Sequence, residues 1–551
     1  MVALSLLIAG SACRKQEAPT RPAPLPVPTR PAEVLAELSV PRPSELWPAL
    51  QALLGPPVSF LPKAPELSLG GWLSLPPLVA SSLDLRAPLV AVALAGSEPA
   101  VLLGVRLESG PEFIAQLTTG NAPTHRLERE AGLAVLSALK SESASSLAVV
   151  GDALVIGPRA AVVRAAGYVG RALLPAATAK GPVTVVVPGE ALRTLGVPAL
   201  KALWEKRRAE LLAAQRRAEA EHGRPADFAE PTALVAGADQ LFASSLAVLS
   251  SAEKVTAELS SDDTSLDFVA RVWPSPSGAA EQFARALPVG ASDALKALPA
   301  RTIVGWLSWR GPEAGSHDVV GSLRALLGAR LSEKDERALG EALGALDAGR
   351  GDVQALALLD DLSLVWRGEV RDARLMRRGL DSALPWLTRK PLVEPLTALL
   401  GRPTLTQSAL RVDGADVPAQ RALFRLTPVA AKGEKAATPR QVEVTSLVEA
   451  RRFVLTAASA SAAPLSQALA AERGEASLGS DEQVRSLLGR SPQVSWLVFA
   501  DLGRVAVARG ASAAPSAPVL FDLGVREGKP EFAARASAGA LRALLAEELR
   551  P

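Results

Sequence analysis

The chain has 551 residues, 48% of them hydrophobic, and a mean hydropathy of +0.20. That is enough apolar material for cores in two or three domains, and it excludes the disordered class. Lys plus Arg number 60 against 57 for Asp plus Glu, and aromatics are 4% with a single Tyr. A balanced, aromatic-poor chain offers neither a basic stripe nor a base-stacking platform, so no nucleic-acid partner is expected. The one cysteine, Cys13, excludes structural disulfides and cysteine-based zinc sites. Histidine chemistry would have to come from His125, His222 and His317.

Val2–Ala9 is an apolar run of signal-peptide length, too short to cross a bilayer. Gly10, Ser11 and Ala12 put small residues directly before Cys13. Small residues followed by cysteine resemble a bacterial lipobox. The resemblance covers only this first stretch. It implies a signal peptide over 1–12 and a lipid anchor on Cys13, which becomes the mature N-terminus. Two features depart from the family pattern: no Lys or Arg precedes the apolar run, and Gly10 stands where Leu is usual. Residues 13–37 read as a tether. Arg14–Pro31 is polar and Pro-rich, favours polyproline II at ~3.1 Å per residue, and cannot bury a core. Arg14, rather than Asp, follows the cysteine, which in families with outer-membrane sorting resembles an outer-membrane address.

The body reads as α+β: two similar units of mainly antiparallel sheet with interspersed helices, 38–287 and 288–551. In the first, Ser39–Pro41 and Ser44–Leu54 give an extended piece and then a helix, a pattern repeated by Trp273–Leu287. Gly70–Ser74 is echoed by Val304–Ser308. Leu89–Ala95 and Ala100–Leu107 read as paired strands, matched by Val353–Leu359 and Leu362–Val370. Helical spacing follows each pair, over Pro111–Leu117 and Ala373–Leu380. Leu147–Ile156, with a Gly151-Asp152 turn, leads into the helix Pro158–Val169. Arg452–Ala457 and Ala462–Ala470 are the counterparts. Val183–Val187 with Glu190–Leu195 matches Val494–Phe499 with Asp501–Val505. Val255–Leu259, a polar turn holding Asp262 and Asp263, and Leu266–Trp273 match Val519–Ala536; Ser277 is a cap candidate for the helix after Pro274 and Pro276. The preserved order of stations implies an internal repeat, and segments starting at Leu38 and Ala270 are expected to superpose.

The halves differ in their insertions. Residues 198–251 read as a helical hairpin of mixed charge in the first unit only. The second has a helix over Asp318–Leu346 starting near Ser332, another over Pro391–Gly401, and a solvated loop over Val429–Pro439.

No constellation carries chemistry. Ser137-Ala138-Leu139-Lys140 fits S-x-x-K but lacks its partner motifs. His222 near Asp227 and Glu230 lacks metalloprotease spacing, and His125 with Glu128 and Glu130 reads as a polar hairpin. Asp262-Asp263 and Asp360-Asp361 read as turns, and Arg350-Gly351-Asp352 as a chance tripeptide. No catalytic, cofactor or metal residues are assigned. The expectation is a non-enzymatic, envelope-anchored binding or scaffold lipoprotein of the outer membrane, with a partner protein engaging 198–251. The alternative is a carrier of an apolar ligand such as a lipid.

Overall fold

The computed structural model describes residues 28–56, 58–73, 75–95, 100–119, 123–130, 132–139, 145–222, 231–310, 332–389, 402–413, 415–427, 440–459, 463–510 and 513–548. The first half contributes ten main strands: β1 (Val34–Val40), β2 (Leu89–Leu94), β3 (Ala100–Leu107), β4 (His125–Glu130), β5 (Leu133–Ala138), β6 (Ser145–Val150), β7 (Ala153–Pro158), β8 (Val183–Pro188), β9 (Ala252–Ser261) and β10 (Ser265–Pro274). The second contributes β11 (Thr302–Trp309), β12 (Arg350–Leu359), β13 (Leu364–Val370), β14 (Arg402–Leu410), β15 (Ala419–Thr427), β16 (Arg440–Val448), β17 (Arg452–Ala458), β18 (Trp496–Asp501), β19 (Pro518–Arg526) and β20 (Lys529–Ser537).

All pairings are antiparallel, as the hairpin-rich sequence requires. In the first half the order is β4-β5-β6-β7-β3-β2-β1-β8-β9-β10. In the second, β14-β15-β16-β17-β13-β12-β11-β18-β19-β20 repeats that order strand for strand. Each strand of the first half has its counterpart ten labels later. The halves join where β10 pairs with β20, making one continuous sheet. The path is open rather than closed, since among the described residues β4 and β14 each pair on one side only.

Register shows how close the repeat is. Val255 lies opposite Val272 in β9–β10, and Val519 opposite Ala536 in β19–β20; residues 254–273 match 518–537 without a gap. At the join Val269 faces Ala533, its own counterpart, while Phe268 faces Ala534 and Ala270 faces Phe532. The seam therefore has the symmetry of a two-fold axis through Val269 and Ala533.

The helices repeat as well. The first half has α1 (Pro43–Leu54), α2 (Pro65–Trp72), α3 (Pro77–Ala80), α4 (Gly110–Thr118), α5 (Arg159–Tyr168), α6 (Val197–His222), α7 (Pro231–Ser250) and α8 (Ala279–Ala286). The second has α9 (Glu333–Gly349), α10 (Ala373–Ala383), α11 (Ala463–Glu472), α12 (Glu482–Gly489), α13 (Leu502–Ala508) and α14 (Ala538–Glu548). Helices α4 and α10 both follow the third strand of their unit. Both begin on a side-chain cap: Ser109 accepts from the Glu112 amide, and Asp372 from those of Arg374 and Leu375. Phe113 and Leu117 of α4, like Met376 and Leu380 of α10, are buried against one face of the outer strands. Helices α5 and α11 cover the opposite face: Val162 and Val169 pack with Val90, Leu102 and Val155, and Leu465 and Leu469 with Ala355, Val365 and Val454. Burying both faces explains why these strands read as near-continuous apolar runs.

Several expectations change. Strand β1 begins at Val34, inside the stretch read as tether; Val34 is buried and pairs opposite Leu94, because the Pro-rich run ends at Pro31 and Val34-Leu35-Ala36 can already extend. Gly70–Trp72 closes helix α2, which Pro65 starts, whereas Val304–Ser308 lies in β11. The counterpart of β11 is β1, so Trp273–Leu287 does not correspond to Ser39–Leu54, and the repeat aligns Val34 with Thr302 rather than Leu38 with Ala270. Ser277 does not cap α8. Gly278 does, and the Ser277 amide, at positive φ, donates to Glu281. The Ser332 cap on α9 is as expected. Residues 311–331, Pro391–Gly401 and Val429–Pro439 lie outside the described residues.

Candidate binding surface

At the seam the sheet turns its polarity inside out. Alternation along β10 puts Asp267, Val269 and Arg271 on one face and Phe268, Ala270 and Val272 on the other. On β19 and β20 it groups Asp522, Glu531 and Arg535 with the charged face, and Phe521 and Phe532 with the apolar one. The charged face is the buried one: Arg535, Asp522 and Glu531 are 3%, 4% and 7% exposed, whereas Phe268, Phe521 and Phe532 are 38%, 39% and 36% exposed.

The charged face is a set of ion pairs built twice. Arg271 donates to Glu258 at 2.8 Å within the first half and to Glu531 at 2.6 Å across the seam. Arg535, its counterpart, pairs with Asp522, the counterpart of Glu258, and with Ser491. The symmetric cross-seam acceptor, Asp267, is taken instead by Arg490, which follows α12 and donates at 2.8 Å. Arg490 also reaches Asp262 and Ser265 of the first half. Burial raises the Asp522 carboxyl above its ordinary range despite the neighbouring Arg535. Burial also opposes ionisation of Asp262, but hydrogen bonds from Thr264 and Arg490 hold it well below the usual carboxylate range. Each charge named here touches an opposite one, which gives this face the character of a clamp across the seam.

The apolar face continues away from the seam. Phe268 and Phe521 flank Ala534, and Phe532 lies diagonal to both. The row runs on through Val498, Trp306 and Leu356, and on the other side through Leu259 and Val183. Val304, Leu356 and Leu364 are exposed on the same face. Ala540 of α14 covers Val519 and Ala536 at one end of β19 and β20. The middle stays open at Phe268, Phe521 and Phe532, and contiguous exposed apolar surface is a mark of interaction sites on soluble domains.

The sequence-derived candidates are dispersed. Cys13, Lys140, Asp227, Glu230 and His317 lie outside the described residues. Ser137 accepts from Arg159, which Glu128 and Glu130 hold at 2.6 and 2.8 Å. His125 bonds Thr124, and burial lowers its pKa. Asp262 closes the β9–β10 turn, and Asp360 and Asp361 bind Arg301. Within Arg350-Gly351-Asp352, Arg350 pairs with Asp347 and Asp352 with Arg371. Among the described residues no group of three or more His, Cys, Asp or Glu could hold a metal, and no helix is long and apolar enough to cross a membrane. The hairpin of α6 and α7 is held by Trp204 stacked on Phe242 at 5.1 Å and by Trp204 and Arg208 donating to Asp239. It has no counterpart in the second half, where only residues 509–517 separate α13 from β19. Sequence reading missed the phenylalanine face. Its signal was the alternation Leu266-Asp267-Phe268-Val269-Ala270-Arg271, which by default puts phenylalanine inside.

No protein-family model, curated protein or solved structure matches this chain.

Proposed function

We propose that this is a non-enzymatic, envelope-anchored lipoprotein that acts as a binding module through the open face around Phe268, Phe521 and Phe532. Cys13 carries the lipid, and Arg14 after it favours the outer membrane. The supporting observation is the inverted seam: a fold that buries matched charges at its centre and leaves three phenylalanines exposed presents an apolar surface with no structural need for it. The mixed-charge hairpin α6–α7, which leads into β9, is a second contact for a partner protein. A carrier of an apolar ligand is the other reading, favoured by an open cavity of about 360 Å³ between α1 and α2 whose lining is apolar except for Ser68.

The test is a photo-crosslinking residue placed at Phe532 in the acylated protein in cells. A protein adduct supports the binding module, and a lipid adduct supports the carrier. Absence of any adduct at Phe532 and at Phe521 overturns the use of this face.

A further inference from the structure

From Val58 to Ser82 the only charged residues are Lys63 and Glu66, in a chain that is 21% charged. The stretch contains α2 and α3, and its large apolar side chains project into solvent: Phe60 is 81% exposed, Trp72 75% and Leu78 85%, with Leu61 and Leu67 at 47%. The seam phenylalanines lie flat on a sheet; these stand proud of it, on short elements separated by Pro62, Pro65, Pro76 and Pro77.

We propose that this stretch is a bilayer-contacting surface whose apolar tips enter the headgroup–acyl boundary of a lipid membrane. Three features favour a bilayer over a protein partner. Separate projecting tips give a rigid partner little continuous surface to match, but a fluid phase closes around them. The cavity walled by Val40, Trp47, Leu69, Trp72 and Leu89 opens beside the tips and is wide enough to take the end of an acyl chain. Helices of eight and four residues are far too short to span, so contact is limited to one leaflet.

The fold itself does not demand this exposure. In the second half the same connection, from β11 to β12, ends in α9, which is rich in Glu, Asp, Lys and Arg and buries Leu339 and Ala342. Among the described residues the surface thus belongs to one copy of the repeat. The Pro-rich composition of Arg14–Pro31 suits a linker that would let the body lay this side on the membrane.

The inference rests on the envelope-anchored reading only for its biological setting, and the test removes the anchor. Full-length protein carrying Cys13→Ala is sedimented with phosphatidylethanolamine/phosphatidylglycerol vesicles, alone and with Phe60→Ser, Trp72→Ser and Leu78→Ser added. The expected result is a fall of at least about tenfold in vesicle partitioning for the added set, with the unfolding midpoint unchanged. Leu78→Ser alone, at the most exposed of these positions, should lower partitioning about twofold or more and guards against misfolding of the triple variant. Phe268→Ser with Phe521→Ser and Phe532→Ser should leave partitioning as it was. Equal partitioning with and without the Phe60, Trp72 and Leu78 changes overturns the inference. So does a loss that follows the seam phenylalanines instead. The first of these results does not bear on adducts formed at Phe532.

Discussion

Gly104 of β3 and Arg367 of β13 occupy the same place in the two halves, and so do Val169 after α5 and Glu472 at the end of α11. In the first half the pair is apolar and close. A Cβ on Gly104 would sit 2.5 Å from Val169 and 2.9 Å from Val90. In the second the pair is ionic: Arg367 lies 3.2 Å from Glu472 and donates to the Ala297 carbonyl, while Arg452 binds both Glu472 and Glu449. One backbone plan thus carries two chemistries at the same helix–sheet contact. Neither partner can change alone, because glycine makes room for a valine and an arginine needs its glutamate.

Breaking the ionic version should cost most. Glu472, 8% exposed, leaves Arg367 and Arg452 without their shared acceptor when replaced by Ala, and a loss of about 3–5 kcal/mol is expected on urea unfolding. Gly104→Ala in the first half should cost about 1–3 kcal/mol by overpacking against Val169, and Val169→Ala added to it should recover part of that loss. A Glu472→Ala variant within 1 kcal/mol of wild type, on the scale of exposed pairs, would show that the network adds little.

Acid sharpens the comparison. Glu449 is held below its ordinary range by the hydrogen bond from Arg452, against burial. Asp361 is lowered by Ser363 and Arg301, also against burial, and Asp262 at the seam by Thr264 and Arg490. A carboxylate with a lowered folded pKa contributes stability that is complete above its unfolded value and lost as pH falls through the folded one. These contributions should therefore fade below about pH 4. Asp522, raised by burial, has the opposite sign: it favours the fold in acid and weakens it as pH rises through its folded value. Hydrogen exchange between pH 5 and 2.5 should show β13 and β17 loosening before β2 and β3, while the seam, where Asp262 and Asp522 oppose each other, changes less. Uniform loosening would contradict the assignment.

The smallest effect is expected from the element that only one half possesses. Replacing 197–250 with a short loop, as the second half does over 509–517, should change the unfolding free energy by no more than about 0.5 kcal/mol. Unfolding of β8 to β10 would make the hairpin structural and remove it as a partner site.

Much of this plan was legible in the chain. The hairpins β9–β10 and β19–β20 alternate cleanly between turn residues, and their match over 254–273 and 518–537 is visible without coordinates. The helices α4 and α10 follow their strands at the same spacing in both halves. Short likenesses misled: Gly71-Trp72 and Gly305-Trp306 share letters, but Pro65 before the first starts a helix, and nothing breaks the extended run of the second. The pairing of β10 with β20 was not legible, since no local signal chooses a partner some 260 residues away. Without that pairing the face rule for Phe268 points the wrong way.

The joining of the two halves and the open phenylalanine face depend on this seam, so its register is the thing to measure. With Cys13→Ser as background, Val269→Cys plus Ala533→Cys places two cysteines directly opposite on neighbouring strands, within reach of a disulfide. Val269→Cys plus Ala534→Cys puts them on opposite faces. Oxidation should link the first pair and leave the second reduced. Failure of the first pair to form, or equal linkage of both, would mean the halves do not join in this register.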